Sequence, residues 1–572
     1  MIRVQEQVGE IPNLTSRMPS QFANSLIGTI ASLRASAAYV TGAHSMKFGY
    51  QGGYSNPSQT YDYYGQVILV RTNNGGPNRL TQTIVTDNNI KYVRELIPTN
   101  FYAQDQWTRD RLTLQGGVRY DSLVSKYPDS RVGGPGYPYA PQEIFFPAGS
   151  TPGYGWKDVT PRAGVAYDLF GKGKTALKFN IGKYMEAITA SNNDLDMNPL
   201  IRVVISTTRT WTDSNKDYVT NCNLNNPKKN GECGDLDNQT LGTPVFNRTF
   251  DPNFVTGWGT RPYNWGLGVS VQQELMPRVS VNVGYFRNWW GNSYVVDNRS
   301  TSLSDYTPFS IKAPVDARLP GGGGYTVGGL YNLVPEKVGP VDELAQSSSN
   351  FGKQIENWHG VDINVVARLR NGVTVQGGTS TGHRFADACD VRAKLPELGA
   401  GPTGAANTSI VGLATAVATT NNASVTNPYC HIVEPYKTQF KGLATYTIPR
   451  VGVQVSGTWQ SIPGDDLGAN YTVTNATALP SLGRNLSSGN VTVNLIAPQT
   501  YFAHRLTNID FRVAKIFRYG RTRSQIGLDV YNLTNTDVVT AYNTTFVPGG
   551  AWLTPTGIQP ARYVKIGAQF DF

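Results

Sequence analysis

Five histidines, His44, His359, His383, His431 and His504, are the side chains best suited to acid–base or metal chemistry near neutral pH. None stands in an H-E-x-x-H pair, and there is no G-x-S-x-G elbow or G-x-x-x-x-G-K-S/T phosphate loop. The glycine run 321–324 has no strand-to-helix setting, so it reads as loop. Asp213, Asn215 and Asp217 fall at alternate positions, with Asp235 and Asp237 further on, and such oxygen ligands suit calcium. Lys216 stands among them, and neither the glycine nor the distal glutamate of a calcium loop follows, so a solvated polar turn competes with that reading. Cys222 and Cys233 lie in one polar stretch, Cys389 and Cys430 in another. A four-cysteine zinc site would need paired C-x-x-C spacing, which they lack. No catalytic or cofactor-binding residue is therefore expected, and a structural calcium ion is the one cofactor in view.

The elements that must carry these residues are strands. Leu112, Leu114, Val118 and Tyr120 are separated by Thr113, Gln115 and Arg119, and Trp265, Leu267, Val269 and Val271 by Gly266, Gly268 and Ser270. Val279, Val281, Val283 and Tyr285 alternate with Ser280, Asn282 and Gly284, and Val564, Ile566, Ala568 and Phe570 with Lys565, Gly567 and Gln569. Alternation with period two marks strands that face two environments.

A soluble sandwich would alternate in the same way, so the connections decide. Tight ones fall at 42–44, 108–111, 171–173, 276–278, 370–372, 449–450 and 518–521. Long polar ones fall between them, at 57–92, 126–158, 187–261, 297–357, 386–434, 462–502 and 541–559. Sandwich loops have a median of about 4–6 residues. Short turns on one side and long loops on the other are the asymmetry of an antiparallel transmembrane β-barrel. The whole chain, 1–572, reads as one such domain in the bacterial outer membrane, with lipid outside it and long loops in the extracellular space.

Composition agrees. Glycine contributes 60 residues and tyrosine 31, against 4 cysteines and 6 methionines. The longest apolar run, 410–418, is interrupted by Gly412 and Thr415, so no helix of about 20 residues can span a bilayer. Strands need only about 9–11 residues, every other one polar, which a mean hydropathy of −0.32 permits. The net charge of +10 is spread without a basic block interleaved with aromatics, so nucleic acid is not an expected partner. In an oxidising compartment each cysteine pair closes a disulfide inside its own loop, bracing a segment expected to lack a core.

The trace gives about 15 strands, an odd number, and the first, near 25–40, runs inward. Single-chain bacterial barrels use even numbers, so at least one earlier strand is expected upstream. Residues 1–20 show no export signal, and the expectation is a chain that begins partway through a longer precursor. Tyr285, Phe286, Trp289 and Trp290, and likewise Tyr61, Tyr63 and Tyr64, are placed as an aromatic girdle at the lipid headgroups, with a ligand-stacking role for Trp289 and Trp290 as the alternative. At the C-terminus Lys565, Gly567, Phe570 and Phe572 follow a polar, x, Gly, x, x, aromatic, x, aromatic pattern. It resembles the signal that the barrel assembly machinery reads on a final strand, where alternate side chains enter pockets during strand addition.

Four segments carry a family resemblance: NFYAQDQWTRDRLTLQGGVRYD at 100–121, STTRTWTD at 206–213, GYFRNWWGN at 284–292 and LDVYNLTNTD at 528–537. With the C-terminal pattern they resemble TonB-dependent outer-membrane receptors, most of all the Oar-like branch. The resemblance implies a barrel of about 22 strands, of which this chain would supply the last fifteen. It also implies an N-terminal plug and a box that engages the TonB complex, neither recognisable in this sequence, and a bulky substrate. The function expected is uptake of that substrate without covalent chemistry. The alternatives are a non-transporting surface protein, as adhesin or scaffold, and a passive pore, and a hydrolase would need His and acidic side chains converging above the membrane.

Overall fold

The structure is a computed structural model. It describes residues 3–571 except 9–14, 17–21, 64–65, 74–75, 84–89, 150–153, 188–197, 246–247, 339–340, 370–371, 400–423, 426–427 and 521. Phe572 and the run 410–418 therefore lie outside the described residues, as does Tyr64, and the side chains of Tyr61 and Tyr63 are not described.

Fifteen strands form the barrel wall in chain order: β1 Phe22–Thr41, β2 His44–Tyr63, β3 Glu95–Arg109, β4 Leu112–Lys126, β5 Gly155–Asp168, β6 Thr175–Met185, β7 Tyr263–Met276, β8 Val279–Gly291, β9 Ile355–Arg368, β10 Val373–Asp387, β11 Lys437–Ile448, β12 Val453–Ile462, β13 Leu506–Tyr519, β14 Thr522–Tyr531 and β15 Tyr563–Asp571. Each pairs antiparallel with the next, from Phe22↔Tyr63 on the first hairpin to Tyr531↔Tyr563 on the last. The expected short turns connect β1 to β2, β3 to β4, β5 to β6, β7 to β8, β9 to β10, β11 to β12 and β13 to β14. Gly42 takes φ +54° at the first of these, a left-handed conformation that costs glycine little. Arg278 and Arg450 adopt φ +72° and +67° at two others despite carrying a Cβ.

Among the described residues no register joins β1 to β15. Residues 27–41 of β1 are exposed throughout, with Ile30 at 79%, and β15 is exposed at every position but Gly567.

Directly paired residues share a face, and the register therefore sorts every side chain. Val269 on β7, Tyr285 on β8 and Val361 on β9 lie side by side, flanked by Val271, Val283 and Ile363. This apolar face is the solvent-accessible outer one: Val269, Val283 and Val361 are all exposed. The opposite face is polar and internally bonded. Gln115 donates to Gln106 at 2.8 Å, Lys178 to Gln272 at 2.6 Å, Arg512 to Asp529 at 3.0 Å, and the Thr445 and Ser456 hydroxyls meet at 2.8 Å. A soluble sandwich has the reverse arrangement.

The long connections depart from expectation. Instead of polar stretches without a core, they fold into small sheets around buried apolar clusters. Phe309, Leu330, Val473, Val493, Phe546 and Trp552, drawn from three different loops, share one cluster, and the Trp552 indole donates to the Gly468 carbonyl at 3.0 Å. A second joins Leu96 and Leu123 at the strand ends to Trp156, Phe254, Tyr294 and Ala345, with Tyr154 stacked on Trp156 at 4.5 Å. The physical reason is area: single loops bury little, whereas several gathered over one rim can exclude water from a shared interior. Residues 3–8 join this layer as a strand parallel to Val67–Asn73.

Candidate functional site

Two surfaces could meet a ligand: the polar inner wall and the folded loops over its mouth. On the wall, the register brings Arg34 of β1, Lys47 of β2, Arg119 of β4 and Arg162 of β5 to one face. They border a cavity of about 370 Å³ that Tyr102, Gln104 and Thr160 also line. Arg119 is neutralised by Asp121 at 2.7 Å and donates to Gln51 at 3.2 Å. Arg162 lies over the Tyr184 ring at 4.6 Å. The balance of this patch is cationic, suited to carboxylate, phosphate or polyhydroxyl groups. Sequence reading passed over it, although each of these residues occupies the polar phase of an alternating strand.

Above the rim, both cysteine pairs are disulfides, Cys222 with Cys233 and Cys389 with Cys430, each within its own loop as expected. Arg209, fully buried, holds the first of these loops from within: Nε donates to the Gly234 carbonyl at 2.7 Å, and the two terminal nitrogens to Asn226 and Lys228 at 3.2 and 3.1 Å. The second loop is anchored at Glu397, only 5% exposed, in the turn Pro396–Gly399 against the strand Tyr294–Asn298 of a neighbouring loop. Burial pushes the Glu397 carboxyl up to about 7, its own N–H and that of Asn298 opposing and Asp297 reinforcing the shift. Burial likewise raises Asp466, to about 6.

The calcium candidates Asp213, Asn215 and Asp217 do come together, but as a turn. Asp213 accepts from the N–H groups of Asp217 and Tyr218, and Asn215 from that of Asp217. Asp217 accepts from Val219 N–H and from the Asn215 and Asn221 amides, and the Asn221 bond is the chief cause that holds its pKa below the ordinary carboxylate value. Asp235 accepts from Lys229 N–H, and Asp237 pairs with Arg79. Among the described residues no three His, Cys, Asp or Glu side chains converge as a metal site.

The four girdle residues are split by strand alternation. Tyr285 and Trp289 lie on the outer face, where Trp289 stacks on Trp265 at 6.1 Å, whereas Phe286 and Trp290 take the opposite parity and face the lumen. A headgroup girdle is open only to the first two, because successive side chains on a strand point opposite ways. In the C-terminal pattern Lys565 and Gly567, opposite Asp529 and Gly527, face inward, and Phe570 faces outward, 60% exposed. Of the resembling segments, 100–121 is the β3–β4 hairpin, while Ser206–Trp211 is a strand of the loop layer outside the wall. Two imidazole–carboxylate pairs form, His44 with Asp105 at 2.6 Å and His431 with Asp387 at 2.7 Å, and no Ser, Thr or Cys side chain joins either among the described residues.

Apolar side chains outside, bonded polar side chains inside, short turns at one end and disulfide-braced loops at the other define an outer-membrane β-barrel. The chain belongs to the outer membrane beta barrel domain family, whose model matches residues 9–380, and it resides in the outer membrane. No curated protein matches the sequence. Among solved structures it is similar to the outer-membrane transporter YddB from Escherichia coli, at 11% identity and a TM-score of 0.49, covering 100% of this chain and 58% of that one. It is similar too to the ferric-catecholate import receptor Fiu from E. coli K12, at 12% identity and 0.43, covering 96% and 55%. The ferripyoverdine receptor of Pseudomonas aeruginosa matches at 8% identity and 0.44, covering 96% and 48%. The chain thus spans about half the length of these three proteins.

Proposed function

We propose that this chain is the wall of a TonB-dependent transporter that takes up a bulky substrate across the outer membrane. The observation that carries the reading is the inner face. Side chains fill the interior of a barrel of about 8 strands, but wider walls leave an aqueous lumen or hold a plug. Fifteen strands with a polar, hydrogen-bonded lining belong to the wide class. Such a lumen needs something to fill and gate it, and a plug coupled to the TonB complex would do so. The cationic patch at Arg34, Lys47 and Arg162 then offers a passing substrate its contacts.

The folded loop layer favours a second reading, a surface protein that displays these loops. The two separate in cells. Growth on candidate large nutrients, compared between the wild type, a strain lacking this gene and a strain lacking TonB, is expected to fail for the same nutrient in both mutants. Unchanged uptake in both, with loss of surface adhesion only in the gene deletion, contradicts the transport reading.

A further inference from the structure

His359 and His383 are distant in sequence but stand directly opposite each other on β9 and β10. Their Nε2 atoms approach to 2.6 Å, with ring centroids 4.5 Å apart and planes inclined at 66°. Each ring is also held from behind. His383 Nδ1 lies 3.1 Å from the Glu434 carbonyl, which only accepts, so that nitrogen carries the proton and Nε2 keeps its lone pair. The Tyr285 hydroxyl lies 3.4 Å from His359 Nδ1, so His359 can likewise turn its Nε2 toward the partner. A polar group behind the far nitrogen is the arrangement that orients metal-bound imidazoles. The pair lies on the outer face, near the loop ends of β9 and β10, under Tyr436, whose ring centroid is 4.6 Å from that of His383. Arg287, the cation in register with His359, has its guanidinium over the Trp289 ring at 5.8 Å.

We propose that His359 and His383 form a two-imidazole site for a borderline divalent transition metal such as Cu²⁺, Ni²⁺ or Zn²⁺, which fastens β9 to β10 at the extracellular rim. Imidazole nitrogens suit these ions, with bonds of about 2.0–2.1 Å to zinc. Two nitrogens at that distance from one ion stand about 3 Å apart, so small side-chain rotations admit the metal. Without it, one N–H···N hydrogen bond satisfies the pair. Two protein ligands leave the remaining positions to water, and the chemistry is that of a staple. The site is independent of whether the barrel transports anything.

The test uses the full chain, purified from membranes in detergent and stripped with chelator, titrated with Cu²⁺ alone and followed by electron paramagnetic resonance. The expected result is one copper per chain with a splitting pattern from two nitrogens. His359→Gln and His383→Gln should each weaken binding at least tenfold, while His431→Gln, which alters the pair with Asp387, should leave it unchanged. Folding of every variant is read separately from heat-modifiable electrophoretic mobility, with asparagine replacing glutamine where a variant does not fold. No stoichiometric copper in the wild type overturns the proposal, as does an unchanged nitrogen pattern in the folded double variant.

Discussion

Arg209 donates to three backbone carbonyls and to Gln82, so removing it strands acceptors in a dry interior. Arg209→Ala is expected to destabilise the first disulfide loop by about 3 kcal/mol, read as protease cleavage within 212–240 while the barrel keeps its heat-modifiable mobility. Glu397 acts through pH. Its carboxyl titrates near 7 when folded, above its ordinary value of 4.5, so the folded junction binds the proton more tightly than the open one. Its contribution is therefore complete below pH 4.5 and is lost as pH rises through 7, on the order of 3 kcal/mol at most. Protection of the amides at 294–298, taken relative to their intrinsic exchange rate at each pH, should be higher at pH 5 than at pH 8, and Glu397→Gln should flatten that difference. At this scale the sequence was unevenly legible. Cysteine pairing followed from two partners sharing a loop, whereas the burial of Arg209 and Glu397 comes from segments that meet only after the loops gather. Phe286 and Trp290 take the inner face because strand parity, and not proximity in sequence, sets the side on which an aromatic ring lies.

Strands and turns were the most legible level, for a physical reason: lipid on one face and water on the other impose the same alternation along the full length of every element. All seven tight connections fall where the sequence placed them, and the first strand, expected near 25–40, runs from Phe22 to Thr41. The loop strands were invisible because elements such as Arg248–Phe250 and Glu343–Ser347 are too short to show a period. The two faces of β8 give the sharpest test of an element. Val283→Lys places a charge against lipid and should cost about 2–4 kcal/mol near the bilayer centre, whereas Asn282→Lys on the inner face should cost under about 1 kcal/mol. The folded fraction in urea titrations of the detergent-solubilised protein distinguishes them. Equal penalties would mean that both faces see the same medium. Gly378 supplies a second test, since an added Cβ would come within 2.4 Å of the Ile363 carbonyl on the neighbouring strand. Gly378→Val is expected to separate β9 from β10 and lower the yield of folded barrel.

Taken whole, the molecule is a curved wall with a polar inside, an apolar outside and a roof of folded loops. The roof has its own cores and disulfides, so it can keep its shape while the wall meets lipid. The inner patch around Arg34, Lys47 and Arg162 is the region in which substrate chemistry would be decided. The wall itself was legible in alternation and connection length, while the roof was not, because its apolar residues serve a neighbouring loop instead of a repeating face. The most direct measurement places single cysteines on the two faces, a clean experiment because the native cysteines are all in disulfides. Cysteines at Val281, Val283 and Ile363 should resist a water-soluble maleimide, and a fluorophore there should be quenched by nitroxide lipids; those at Gln104, Gln115 and Ser280 should do the opposite. Uniform labelling of both sets, with no quenching by lipid, would contradict the claim that this chain is a membrane-embedded barrel wall.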